Sequence, residues 1–307
     1  MKLHVNVLGL ALVAGASSLG CQKCGGAQGS SFDAQPGSAE ASAAPSASAQ
    51  VAAEFPEIRD TGRGRATAAL RAALGAYGVA YDAATLEREC KVDDEGASID
   101  DLEDVANKYG LEVKQVILPE EHVLSPEAKM LPAIVLADGP DDTVEFVLAW
   151  RLDGDRVAVM DPGEGRTQIG RADLEARLFV HEQTMAAEAF RAAMGTQSFQ
   201  DALRARMEAL GVGHEQAVAL ITRAAADRSV RGLGALDAAI RWLASEPTRA
   251  GGDAAERLLA AFNCAFEKKC QGIEAIPKEL WSVQAAPKGE VLVQGAVILA
   301  IAGRRTP

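Results

Sequence analysis

The chain holds little from which a metal, redox or nucleic-acid site is usually built. Its 307 residues contain five cysteines and four histidines. No histidine cluster accompanies any cysteine, which argues against a zinc site, and no cofactor is expected. Basic charge is scarce as well. The formal net charge is −12 and no segment forms a basic block, so phosphate contacts, which need clustered Lys and Arg, are not provided and nucleic acid is not an expected partner. Aromatic residues make up only 5% of the chain, and the abundance of alanine favours helices over a large β-sandwich. Past the N-terminus no run is apolar for the roughly 20 residues that a bilayer crossing needs.

The N-terminus itself has a pattern. Lys2 precedes a mainly apolar run from Val5 to Ala14, small residues follow from Gly15 to Gly20, and Cys21 comes next. A positive start, a short apolar core and small residues before a break describe a secretory signal. Cys21 directly after Leu19-Gly20 resembles the lipobox of bacterial lipoproteins, whose cysteine is acylated and becomes the new N-terminus. The departure is Ser18, which stands where that motif prefers leucine. An ordinary signal peptide followed by a free or disulfide-bonded Cys21 is the alternative. From Gln22 to about Ala53 the chain is nearly all Ala, Ser, Gly, Gln and Pro. Such a segment buries too little apolar surface to offset its ordering entropy, and a flexible tether is expected.

Three cysteines lie beyond the tether. Cys90 stands alone and reads as a small buried hydrophobe. Cys264 and Cys270 flank a short stretch and are possible disulfide partners outside the cytoplasm. Cys24 forms a CxxC with Cys21, a weak metal or redox signal at the head of a tether.

The folded part begins with helices. Ala66 to Ala76 places Leu70 and Leu74 on one face, with Gly78 past its end. A second helix is expected from Ala83 to Cys90. A third opens at Ser98, where Ser-x-x-Asp with Asp101 is an N-terminal cap, and ends at Gly110. The period then changes. Leu111 to Leu118, Pro132 to Ala137, Val144 to Arg151 and Arg156 to Met160 read as strands, with a hairpin turn at Asp153-Gly154. Helices first and a sheet second argue for an α+β domain.

The phrases GRATAALRAALGAYGV, GASIDDLEDVANKYGLEVKQV, LPAIVLADG, VEFVLAWRLDGDRVAVMDPGEGR and ADLEARL, in that order, resemble the bacteriocin-processing cysteine peptidase domain. That papain-like domain stands at the N-terminus of peptide-exporting ABC transporters and removes double-glycine leaders. The resemblance spans about 120 residues. It implies a cysteine nucleophile opening the first helix, a glutamine near it for the oxyanion, a histidine before a Phe-Val-Val strand, and an aspartate.

In this chain the chemistry departs from that pattern. Arg65-Ala66 occupies the Cys-Gly place, Arg59-Asp60 fills the glutamine's neighbourhood, and Glu145 stands where the histidine would be. Only Asp161 matches. A protonated arginine cannot attack a carbonyl, and without imidazole Asp161 has nothing to orient. No catalytic residue is expected at the degenerate positions Asp60, Arg65, Glu145 and Asp161. If they gather in the old cleft, Arg65 should pair with Asp161 or Glu145, since opposite charges in a sheltered groove pair or stay wet. His122 and His181 have no motif around them and are expected at the surface or a boundary.

From Met185 onward the pattern is helical, with apolar residues near i, i+3, i+4 and i+7 over 185–194, 199–210, 216–226 and 232–244, and again from Asp253 to Cys264. Glu290 to Ile301, rich in Val, Ile and Leu, reads as one or two strands that either extend the first sheet or pair with each other around Gly295. His214 sits at a helix start, where capping or exposure explains it. The expected organisation is a signal peptide at 1–20, a lipidated Cys21 and tether at 21–55, a papain-like domain at 56–180, and a mostly helical domain with terminal strands at 184–307. The expected function is a lipid-anchored, catalytically inactive peptidase-like protein, exported to the cell envelope, with the membrane and a peptide or envelope protein as partners. A structural or assembly lipoprotein with a closed groove is one alternative; a residual leader peptidase is another.

Overall fold

The computed structural model describes residues 54–60, 62–93, 96–139, 143–245, 253–268 and 275–305. Cys21, Cys24, Cys270, the signal and residues 22–53 of the tether lie outside them, whereas Phe55, expected at the end of the tether, is buried in the core against Trp150. Among the described residues no helix is long and apolar enough to cross a membrane.

A 3-10 turn, Arg63–Thr67, runs into α1 (Ala68–Ala76). Then come α2 (Ala83–Glu89) and α3 (Ile99–Lys108). The Ser98 hydroxyl accepts the Asp101 N–H at 3.0 Å, which closes the first turn of α3. Gly110, at φ +89, takes the left-handed backbone that reverses the chain into β1. The strands follow as β1 (Leu111–Leu118), β2 (Ala133–Asp138), β3 (Val144–Asp153), β4 (Arg156–Asp161) and β5 (Gly165–Gly170), with the short helix α4 (Glu120–Val123) after β1. Helix α5 (Arg171–Arg177) and strand β6 (Val180–Ala186) come next. Helices α6 (Ala187–Met194), α7 (Gln197–Ala209), α8 (His214–Ala225), α9 (Arg231–Ala244) and α10 (Ala254–Glu267) precede β7 (Val283–Ala285) and β8 (Glu290–Arg304).

All strands form one antiparallel eight-stranded sheet with the order β1-β8-β2-β3-β4-β5; β6 and β7 also pair with β8. The last strand of the chain therefore lies inside the sheet of the first unit. Its second half pairs with β1 on one side (Leu118↔Ala296 to Leu111↔Arg304) and with β2 on the other (Val135↔Ile298). Its first half pairs with β6 and β7. Helices α6 to α10 are thus an excursion between two strands of one sheet. The expected break between 180 and 184 falls within β6.

Alternation sets the two faces of β8. Val293, Val297, Leu299 and Ile301 join the core beneath α1 to α3 and the later helices, while Ala296 and Ile298 face the core that includes Leu174 and Leu178. Gly295 sits where β1 ends against β8, and a Cβ there would lie 2.4 Å from the Leu118 carbonyl oxygen. Gly295→Val should therefore cost about 1–3 kcal/mol through overpacking, measured as a lower urea midpoint. An unchanged midpoint would mean that the β1–β8 contact is looser than it is drawn.

The segment 185–194 departs from its expected helix at its start, because Met185 and Ala186 still belong to β6 and are held by Val291 and Glu290 of β8. Helicity begins only at Ala187. Helix α9 is the hub of the excursion, packed against α7, α8, α10 and β7.

Candidate functional site: a cleft closed by an ion pair

Four elements bring the side chains of the site together. Arg65 stands on the 3-10 turn before α1, Glu145 at the start of β3, Asp161 at the end of β4, and Arg177 in the last turn of α5. The Asp60 N–H donates to the Pro162 carbonyl at 3.1 Å, tying the entering chain to the turn after Asp161.

Arg65 donates from Nη2 to Glu145 Oε1. Of the two carboxylates expected for it, Glu145 is the partner. Glu145 is buried, whereas the Arg65 side chain keeps 34% of its surface exposed. Burial pushes the Glu145 carboxyl above its usual range, and the Arg65 guanidinium opposes that rise. Asp161 is taken by a cation that the sequence did not flag: Arg177 Nη2 reaches its Oδ2 at 3.1 Å. Its other oxygen accepts the Gly163 N–H at 2.9 Å and the Glu164 N–H at 3.3 Å. Asp60 turns away to Arg71, at 2.9 Å. Arg65, Glu145 and Asp161 therefore share one site, and Asp60 is joined to it through its backbone only. Glu145 is thus paired with Arg65, and Asp161 with Arg177.

Two cavities flank the Arg65–Glu145 pair. The larger, about 340 Å³, is lined by Arg63, Ala66, Val92, Ala97, Val144 and Phe146, among others. The smaller, about 270 Å³, is lined by Asp138, Gly139, Asp161, Gly163, Glu164 and Arg177. Arg65 and Glu145 stand in both linings, so the pair is a partition across one cleft.

Among the described residues no sulfur or imidazole occupies this site. Cys90 is fully buried under α2. Burial, together with Asp101 and Glu89, pushes its thiol up to about 12, so it carries no thiolate at neutral pH. His181 is half-buried on β6 and His214 is exposed, beside Glu208. Cys264 is disulfide-bonded.

His122 is placed otherwise than expected. It is 1% exposed and forms part of a buried polar cluster between α4, α7, α9 and Ser282. Arg206 Nη1 lies 3.2 Å from His122 Nε2 and 2.6 Å from Asp237 Oδ1. The Ser282 hydroxyl donates to Asp237 Oδ2 at 2.6 Å. Arg241 bridges Asp237, at 3.4 Å, and Glu121, at 2.9 Å. Burial and the adjacent guanidinium of Arg206 push the imidazole down to about 3. Burial works against ionising Asp237, yet Arg206 and Arg241 prevail and hold it at about 2. No local sequence signal marks His122, because tertiary packing from residues some eighty and more positions away buries it.

Residues 62–179 match the model of the Peptidase C39 family. No curated protein matches. Among solved structures, the double-glycine-motif protease of an AMS/PCAT transporter, in complex with a leader peptide, is 20% identical over 42% of this chain and 89% of its own, with a TM-score of 0.37. The peptidase domain of Streptococcus ComA, a bifunctional ABC transporter of a quorum-sensing pathway, is 16% identical over 41% of this chain and 93% of its own, with a TM-score of 0.38. The first unit is thus similar to the Peptidase C39 family, and that match ends at 179, before the strand β8 that completes its sheet.

Proposed function

We propose that this chain is a non-catalytic peptide-binding protein of the cell envelope, tethered through a lipid on Cys21, that keeps the cleft of a C39 peptidase after losing its chemistry. The observation that carries the reading is Arg65, paired with Glu145 at the nucleophile and base positions beside a remaining cleft of about 340 Å³. A cysteine peptidase needs a thiol and a base within reach of it, and a guanidinium locked to a carboxylate supplies neither the thiol nor the imidazole. The cleft beside them has an apolar wall of Val92, Val144 and Phe146, which suits side chains of an extended peptide. The disulfide at Cys264 fits an oxidising compartment outside the cytoplasm, in accord with export.

The full chain, incubated with a pool of randomised octapeptides and read by mass spectrometry, should retain peptides without cutting them. Ala97→Trp, which fills the cleft, should abolish retention while thermal melting still shows a folded protein. Peptide fragments that disappear in Cys90→Ala would overturn the non-catalytic reading. Absence of retention, or retention indifferent to Ala97→Trp, would favour the assembly lipoprotein with a closed groove, which the partition by Arg65 and Glu145 supports in part.

A further inference from the structure

Arg65 is paired on one side only. Among the described residues its Nη2 alone donates to Glu145, and its buried Nε has no hydrogen-bond partner. A guanidinium offers five N–H donors in a planar fork, so most of its capacity is unspent, and a third of the side chain is exposed. The group also borders the larger cavity, and Arg65 and Glu145 stand in the linings of both that cavity and the smaller one.

Building on the peptide-binding reading, we propose that the larger cavity takes the C-terminal end of a peptide and that Arg65 receives its terminal carboxylate. Two geometric facts support a terminal carboxylate over an internal segment: Arg65 borders the cavity, and it has donors to spare for a second acceptor. A carboxylate matches the guanidinium fork in a bidentate way, which a single backbone carbonyl does not. The acids nearby are already engaged in part. Asp161 is held by Arg177 and by two backbone N–H groups, and Glu145 shares its Oε1 with Thr143 at 3.5 Å.

The test uses the full chain and fluorescent octapeptides of randomised Ala, Val, Leu and Gly, made with either a free C-terminal carboxylate or a C-terminal amide. Fluorescence anisotropy should show the acids binding at least tenfold more tightly than the amides. Arg65→Gln should erase that preference, and Glu145→Gln, which removes the competing carboxylate, should enlarge it. Equal affinity for acids and amides overturns the terminal-carboxylate assignment and leaves the peptide-binding reading standing. Failure of both pools to bind overturns the two together. A preference that persists in Arg65→Gln, with melting showing both variants folded, would move carboxylate recognition away from Arg65.

Discussion

Ending the chain after Ala285, so that β8 is missing, is expected to abolish cooperative folding of the whole protein, including the segment 62–179 that carries the family match. The reason is position. β8 is the inner neighbour of both β1 and β2, and it is also the strand to which β6 and β7 pair. Its loss would leave four strands with an unpaired edge and would remove Val293, Val297, Leu299 and Ile301 from the core. A buried edge without partners strands N–H and C=O groups that each need one. The helical excursion would not survive separately, because α9 rests on β7, which among the described residues pairs only with β8. Near-ultraviolet circular dichroism with a urea titration of the shortened chain should show no sigmoidal transition. A transition close to that of the full chain would mean that β1 and β2 can pair without β8, and the single-sheet description would fail.

The second large effect belongs to the buried cluster. Asp237→Ala should cost about 3–5 kcal/mol, the usual loss when one partner of a buried charge pair is removed. Asp237 is completely buried and serves Arg206, Arg241 and Ser282 together. Its removal leaves two poorly solvated guanidiniums relying on Glu120 and Glu121 alone. For a domain stabilised by roughly 5–15 kcal/mol that is a large fraction, and urea denaturation would measure it. A loss below about 1 kcal/mol would show that the cluster is solvated or rearranges freely.

The same cluster gives the protein an acid limit. His122 is held down to about 3 in the folded state, below its ordinary value near 6.5. The unfolded chain therefore binds a proton that the folded chain refuses, and stability falls as pH drops below about 6.5 toward 3. The loss is on the order of 2 kcal/mol by pH 5. Asp237, held at about 2, acts in the same direction at lower pH: its contribution is complete above about 4 and fades as pH falls toward 2. Burial raises Glu120 and works the opposite way. Urea midpoints from pH 7 to 5 should decline, and His122→Asn should flatten the decline. A flat profile in the parent protein would contradict the buried neutral imidazole.

Local signals account for much of what the sequence revealed. The Ser98 cap, the turns at Gly110 and Gly154, and the strands β1 to β4 all rest on neighbours a few residues apart, and they appear close to where period and turn chemistry put them. β8 was recognisable as a strand but not as the inner neighbour of β1, since its pairing joins Leu118 to Ala296 across a helical excursion. β6 was missed for the same reason: Met185 and Ala186 look helical alone and become extended only against β8. At the site, the family order brought Arg65, Glu145 and Asp161 to notice, whereas Arg177 carried no mark and enters through α5. For His122 the sequence points to the surface or a boundary, because nothing beside it in sequence buries it; Arg206, Asp237 and Phe199 do.

The account turns on whether the cleft beside Arg65 holds a peptide. The most direct measurement is a titration of the isotopically labelled protein with the octapeptide pool, followed by backbone amide shifts. Saturable shifts confined to Arg65, Ala66, Val92, Ala97, Val144 and Phe146 are expected, with the excursion helices unmoved. Shifts on α8 and α10 around Val218 and Leu259, with the cleft silent, would contradict it.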